Sequence, residues 1–298
     1  MAEEFAIESH DLRKSYGDVE ALKGVDLQVR KGEIFGFLGP NGAGKTTTIR
    51  CLLDMIRPNG GKAYIFGINP QENPVAVRAR VGYLPGELHF DENMTVGASL
   101  RFLNSLRKRK ADWEYVQQLA SRLGLDLKIA IKNLSKGNKQ KAGVIQALMH
   151  RPELLLLDEP TAGLDPLIQQ EVLRLIREAR EAGSTVFFSS HILSEVEHIA
   201  ERVAIIRQGK VVEISETAAL IDRSIHRIQI RFKQPVSVVD IEQLPGVSIL
   251  STGNGLNLTV QVEGEMDALI KTLAAFPVSS LETERPTLEE VFLAYYKE

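Results

Sequence analysis

Residues Gly39-Pro40-Asn41-Gly42-Ala43-Gly44-Lys45-Thr46 match the pattern G-x-x-x-x-G-K-[ST]. Glycines at these positions let successive backbone N–H groups turn inward, and the lysine adds a full positive charge, so the pattern makes a cradle for phosphate oxygens. Thr46 supplies a hydroxyl suited to magnesium, and Thr47 extends the binding edge. A glycine-rich turn without a ligand is the competing reading. The complete motif, set between a buried strand and a helix, weighs against it. Further along, Leu154-Leu155-Leu156-Leu157-Asp158-Glu159 is an aliphatic run ending in two carboxylates. Asp158 is placed to reach a magnesium shell, and Glu159 to polarise an attacking water as general base, a contribution of ~100- to 10,000-fold. A helix cap or a solvated strand end would explain a lone Asp-Glu pair; a phosphate cradle upstream shifts the balance to catalysis.

These groups need elements to hold them. Val25, Leu27 and Val29 alternate with Asp26, Gln28 and Arg30, which predicts an early antiparallel strand with one wet and one dry face. Glu33 to Leu38 is almost continuously apolar and predicts a strand buried on both faces, followed by a helix from about Lys45 to Ile56. A stretch from about 88 to 150 is rich in helix formers and predicts a helical subdomain. Buried strands then resume at Leu154–Leu157, Thr185–Phe188 and Val203–Ile206. Helices between them are expected near Leu167–Ala182 and along the Leu193, Val196, Ile199 and Ala200 stripe. Past Ser224 the chain changes to short alternating strands, with Ile228, Ile230 and Phe232 on one face and an Asn254-Gly255 hairpin turn before Leu256 to Val262. Helices marked by Met266, Leu269, Ile270 and Leu273, and by Leu288, Val291, Phe292 and Tyr295, complete a small α+β domain, with ferredoxin-like order the suggested arrangement. The expected division is 1–220 and 221–298.

The segment Asp158-Glu159-Pro160-Thr161-Ala162-Gly163-Leu164-Asp165-Pro166 strongly resembles the extended Walker B motif and D-loop of ATP-binding cassette (ABC) ATPases. Leu134-Ser135-Lys136-Gly137-Asn138-Lys139-Gln140-Lys141 is similar to the signature of that family, usually Leu-Ser-Gly-Gly-Gln. Ser189-Ser190-His191 looks like its switch histidine, and Tyr16 lies where an aromatic ring stacks on adenine. The resemblance runs from about Phe5 to Val212 with the motifs in family order. It implies an α/β P-loop NTPase core with an antiparallel β subdomain and a helical subdomain. It also implies ATP and Mg2+ as ligands, Glu159 and His191 as the catalytic pair, and an interfacial role for Asp165.

The signature has its own physical logic: Ser135 and Gly137 would open a helix towards His150, presenting hydroxyl and N–H groups to an anion at the positive helix end. The resemblance implies that this anion is the ATP held by a second copy, with Ser135, Lys136, Gly137 and Asn138 acting in trans across a homodimer. Two departures stand out. Gly86, in Gly82-Tyr83-Leu84-Pro85-Gly86-Glu87, occupies the place of the usual glutamine, with Glu87 as the candidate substitute near magnesium. Lys136 and Asn138 replace the commoner glycine and glutamine. Pro286 to Leu293 resembles the ending of the drug, antibiotic and polysaccharide exporter branch.

Bulk properties bound the rest. A formal net charge of -3 and a pI near 6.1 give no general attraction to nucleic acid, so none is expected as a partner. The single cysteine, Cys51, excludes an internal disulfide framework and fits a reducing compartment. Met1 to Phe5 is acidic and unlike a secretory signal, and no aliphatic run approaches the ~20 residues that cross a bilayer. Taken with these bounds, the resemblance implies the ATP-hydrolysing subunit of a transporter, cytoplasmic and held at the inner membrane face through a separate permease. The Arg107–Lys110 run is read as a solvated face rather than a lipid contact. A soluble ABC ATPase acting on ribosomes or DNA is the rival; the single cassette and the absence of long coiled coils count against it. A guanine-reading switch lacks its Asn-Lys-x-Asp motif.

Overall fold

The computed structural model describes residues 4–107, 110–222, 226–262 and 266–284. The helix expected around Leu288 to Tyr295 and the exporter-like Pro286–Leu293 segment lie outside the described residues, as do positions 108 and 109. The chain divides into two compact units, 1–215 and 216–298.

The first unit opens with β1 (Phe5–Tyr16) and β2 (Val19–Arg30), which pair antiparallel. Along β2, Val25, Leu27 and Val29 are buried while Asp26, Gln28 and Arg30 face out, as the alternation requires. β3 (Ile34–Leu38) is buried at every residue. It leads through the glycine-rich loop into α1 (Lys45–Leu52). That helix stops four residues short of the expected Ile56, because Asp54 takes a left-handed φ of 48° that an α-helix cannot continue. β4 (Gly60–Ile65) returns to β1, giving a three-stranded antiparallel sheet in the order β2-β1-β4.

Next come α2 (Pro74–Arg80), β5 (Val81–Leu84), α3 (Val96–Ser105), α4 (Trp113–Arg122) and α5 (Lys136–Leu148). Their starts are set by local chemistry: Asn73, Thr95, Asp112 and Ser135 each accept a hydrogen bond from a first-turn N–H. β6 (Leu154–Asp158), α6 (Pro166–Glu181), β7 (Thr185–Ser190), α7 (Leu193–Ile199), β8 (Arg202–Arg207) and β9 (Lys210–Glu216) finish the unit.

The main sheet has the order β5-β6-β7-β3-β8-β9, and β5, β6, β7, β3 and β8 run parallel. Every residue of β6 and β7 is buried, which explains why both are apolar on two faces rather than alternating. Phe187 stacks on Phe35 at 5.8 Å and tilts against Phe37 at 5.2 Å, locking β7 to β3. Each buried leucine of β6 contributes roughly 1.5–3 kcal/mol relative to exposure. The consequence for chemistry is topological. Because β6, β7 and β3 are parallel neighbours, the residues that follow their carboxyl ends share one edge, with Leu38 in register with Ser190 and Asp158 with Ser189.

The second unit contains α8 (Thr217–Asp222), β10 (His226–Phe232), α9 (Val239–Glu242), β11 (Val247–Gly253), β12 (Asn257–Val262), α10 (Asp267–Leu273) and β13 (Val278–Glu284). Its strands form an antiparallel sheet in the order β11-β12-β10-β13. From β10 on, the alternation βαββαβ with this strand order is a ferredoxin-like arrangement. Asn254 and Gly255 both adopt positive φ, 49° and 70°, the geometry a tight hairpin turn demands. Ile228, Ile230, Phe232, Leu258 and Val260 pack with Ile241, Leu269 and Leu273 into a separate core.

Candidate nucleotide site

The loop after β3 turns sharply at Gly44, whose φ of 114° is closed to residues with a side chain; a Cβ there would also lie 2.8 Å from Leu22 and 2.9 Å from the Ala21 carbonyl. Gly44 is the N-cap of α1 and no side chain caps it, so the helix start is left open to an anion. Lys45 is buried, 6% exposed, and its ammonium donates to the Gly39 carbonyl at 2.5 Å and to the Pro40 carbonyl at 3.3 Å. It also lies 3.1 Å from Glu159 Oε1. A cleft of about 280 Å³ opens over these groups, lined by Asn41, Gly42, Lys45, Thr46, Thr47 and Glu159, with Ala21 of β2 at its side.

Asp158, fully buried, ends β6 and accepts two hydroxyl hydrogen bonds: from Thr46 Oγ1 at 2.7 Å and from Ser189 Oγ at 2.5 Å. Thr46, which lines the cleft, and the buried Asp158 behind it thus bring a hydroxyl and a carboxylate oxygen together. Such hard oxygens suit Mg2+, and among the described residues no cluster of three or more acidic, His or Cys side chains could hold a metal alone. A magnesium ion here would share its coordination with phosphate oxygens and water.

Glu159 follows in a left-handed conformation, φ 53°, unusual for a glutamate and held by two bonds from its N–H, to the Ser189 carbonyl and to Ser189 Oγ, both 3.2 Å. The turn points its carboxylate back over the cleft. Oε2 lies 2.7 Å from Nδ1 of the half-exposed His191, while Oε1 faces Lys45 and is buried with no hydrogen-bond partner. With the carboxylate ionised, the shared proton sits on Nδ1 and the imidazole donates.

The remaining sequence candidates sit elsewhere on this unit. Ser135 caps α5, its Oγ accepting from the Asn138 N–H at 3.2 Å, and both Ser135 and Lys136 are exposed. Gly137 and Asn138 form the first turn with them. Asp165 caps α6 by accepting from the Ile168 N–H at 3.1 Å. Tyr16 ends β1 half exposed, with the Lys14 ammonium 5.2 Å from its ring. None of these lines the Lys45 cleft. Glu87 is exposed, and the described contacts of Asp158 and Thr46 run to each other and to Ser189.

The family described as "ABC transporter" matches residues 22–162. The chain is 41% identical over 213 residues to the bacitracin transport ATP-binding protein BcrA of Bacillus licheniformis, across 70% of this chain and 68% of that protein. Over nearly the whole length it is 32% identical to the daunorubicin/doxorubicin resistance ATP-binding protein DrrA of Streptomyces peucetius, covering 97% of this chain and 92% of the relative. This chain belongs to the ABC transporter ATPases. A solved structure described as an ATP-binding subunit of an ABC transporter superposes with a TM-score of 0.67 at 29% identity, over 72% of this chain and 91% of the other. The protein is therefore an ATP-binding, ATP-hydrolysing subunit, and among its described residues no helix is long and apolar enough to cross a membrane.

Within this ABC ATPase, three further side chains support the site, of which Gln140 and Ser189 lie inside quoted motifs without a stated role and Glu195 lies outside them. Gln140 of α5 is buried and its amide donates to the carbonyls of Glu159 at 2.9 Å and Pro160 at 3.1 Å, tying α5 to the turn after β6. Ser189 holds both Asp158 and Glu159. Glu195 is buried beneath the His191 turn. A polar residue on the inner face of a helix, as Gln140 and Glu195 are, was the available clue. Gly86 gains a reason as well: a Cβ there would stand 3.0 Å from Asp158 Oδ2, a tight approach that glycine avoids.

Proposed function

We propose that two copies of this chain close around two ATP molecules and so drive a separate membrane-spanning permease, in the direction of export. The observation that carries this reading is the division of the site. Lys45, Thr46 and Glu159 line one cleft, with Asp158 bonded to Thr46 and His191 to Glu159, whereas Ser135 stands exposed at the start of α5 and lines no part of it. A helix start with an exposed serine hydroxyl that can still donate its proton is suited to the γ-phosphate of an ATP held by a second copy, with Lys136, Gly137 and Asn138 beside it and Asp165 at the contact. Tyr16 would stack on the adenine.

In the closed dimer the P-loop residues Gly39 to Thr47 cradle the phosphates and Lys45 leaves its carbonyls for them. Glu159 accepts a proton from water as the water oxygen bonds the γ-phosphorus and the bond to the β–γ bridging oxygen breaks, releasing ADP and phosphate. His191 donates through Nδ1 to orient the Glu159 carboxylate, its ring lying beside the γ-phosphate. Mg2+ held by Thr46 and Asp158 would neutralise charge on the phosphates.

A permease partner is supported by the family and by the surface. A groove of about 810 Å³ runs between α2 and the end of α3, with Val75, Leu103, Leu106 and Met149 along it, and Val75 and Leu106 are 74% and 68% exposed. Such an apolar strip suits a short helix of a membrane subunit, and the segment Leu84–Phe102 would carry motion to it. Relatives named for bacitracin transport and for daunorubicin/doxorubicin resistance favour a drug or antibiotic exporter over a ribosome- or DNA-bound ATPase. Residues 221–298 are assigned an accessory role, in dimerisation or regulation. The deciding experiment is light scattering of the Glu159→Gln chain: dimer with ATP and monomer without it is expected, together with co-purification of a polytopic membrane protein. A monomer under both conditions and no membrane partner would overturn the proposal.

A further inference from the structure

Beside the catalytic pair lies a buried carboxylate that the hydrolysis scheme above does not use. Glu195, on the first turn of α7, is 6% exposed. Its Oε1 accepts from Thr161 Oγ1 at 2.5 Å and its Oε2 accepts from Ser190 Oγ at 2.9 Å. Thr161 and Ser190 are themselves 2% and 0% exposed. We propose that Glu195 is a positioning residue for ATP hydrolysis, a clasp that joins the turn after Glu159 to the turn carrying His191 and so holds the two catalytic side chains in register.

The connectivity carries the argument. Ser190 Oγ, while donating to Glu195, also accepts from the Ile192 N–H at 2.9 Å. One hydroxyl therefore brackets His191 on both sides, and Glu195 fixes that hydroxyl. On the other arm, Thr161 lies two residues beyond Glu159 within a tight turn, where the Ala162 N–H donates to the Glu159 carbonyl and the Leu164 N–H to the Thr161 carbonyl, each at 3.2 Å. That turn ends at Asp165, the proposed contact with the second copy. Contact between the copies and the His191–Glu159 bond thus meet at a single carboxylate.

Stability alone does not account for the group. Among the described residues no Lys, Arg or His lies within ion-pair distance of Glu195; its partners are two neutral hydroxyls. Burial raises its pKa, an effect the Thr161 and Ser190 hydrogen bonds offset only in part. An aliphatic side chain would fill the same place without burying a charge. The phosphate cradle is built from other contacts, those of Lys45 with Gly39 and Pro40, so loosening the clasp spares ATP affinity and slows turnover.

The inference rests on Glu159 and His191 acting as proposed, and the test separates the two. ATP turnover, KM and thermal stability are measured on full-length Glu195→Ala, Glu195→Gln, Thr161→Val and Glu159→Gln chains. Displacing the pair is expected to lower kcat about ten- to a hundredfold in Glu195→Ala while KM for ATP changes less than about threefold. Glu195→Gln, which can still bond both hydroxyls, restores kcat to within about threefold of the parent, and Thr161→Val, which cuts one arm without changing volume, lowers it about three- to tenfold. Should Glu195→Ala fail to fold, Thr161→Val and Glu195→Gln decide alone. Parent-like kcat in Thr161→Val, a Gln variant as slow as the Ala variant, or a loss confined to KM overturns the clasp, provided Glu159→Gln is inactive. Rapid hydrolysis by Glu159→Gln instead removes the catalytic assignment beneath it.

Discussion

The His191 Nδ1 nitrogen lies 2.7 Å from Glu159 Oε2, across 32 residues of sequence. The other oxygen of that carboxylate faces Lys45 at 3.1 Å. One side chain is therefore held between an imidazole and an ammonium, in a backbone conformation, φ 53°, that glutamate seldom takes. A carboxylate fixed in this way loses little freedom when water arrives. The arrangement leads to predictions for each part of the site.

Replacing Glu159 by Gln removes the proton acceptor but keeps the size and the bond to His191. Phosphate release is expected to fall ~100- to 10,000-fold with ATP affinity retained. A colorimetric phosphate assay and a fluorescent nucleotide titration on the same sample read both quantities.

Lys45→Ala deletes the one ammonium that lines the cleft among the described residues, and charge-assisted hydrogen bonds of this kind contribute ~1.5–3 kcal/mol each. ATP dissociation constants are expected to rise about tenfold to a few hundredfold by calorimetry. Unaltered affinity would contradict the phosphate cradle.

Gly86→Ala places a methyl group 3.0 Å from Asp158 Oδ2, the oxygen that accepts from Thr46. The carboxylate must shift by a few tenths of an ångström. The magnesium concentration for half-maximal ATPase is expected to rise several-fold with little change in melting temperature, since Gly86 is exposed.

Gln140→Leu leaves the carbonyls of Glu159 and Pro160 without their side-chain donor. The Glu159 carbonyl keeps its bond from the Ala162 N–H, so the Pro160 carbonyl is the acceptor left without a donor, at ~1–3 kcal/mol, and a unit of this size loses roughly 2–4 °C per kcal/mol. Calorimetric melting should show a drop of several degrees. An unchanged melting point would mean that water replaces the amide.

Burial pushes the His150 imidazole down to about 4, and the charge of Arg107 adds to the effect. Below a pH of about 6.5 the unfolded chain binds a proton that the folded chain refuses, so stability is full above that value and declines as pH falls towards 4. Allowing for partial exposure, the loss is ~2 kcal/mol. Parent and His150→Gln chains melted at pH 7.5 and 5.0 should differ in slope, the parent falling more steeply.

Several elements could be read before any coordinates. The alternation of Val25, Leu27 and Val29, the unbroken apolar strands before Gly39 and Asp158, and the Asn254-Gly255 turn all follow from nearest-neighbour sterics and side-chain periodicity. Helix α1 was less legible, since an apolar pattern continues to Ile56 while Asp54 ends the helix by its backbone conformation.

By itself the amino-acid sequence determined which groups the chain holds: a glycine-rich loop with Lys45 at Gly39–Thr47, a pair of carboxylates at Asp158 and Glu159, and a helix-opening serine at Ser135. These are contiguous, and short-range geometry dictates them. Only the tertiary structure decided which of these groups touch. Thr46 meets Asp158 across 112 residues, and Glu195 gathers Thr161 and Ser190, because β6, β7 and β3 lie side by side and parallel. Strand order is a property of how whole faces pack, and no local pattern encodes it.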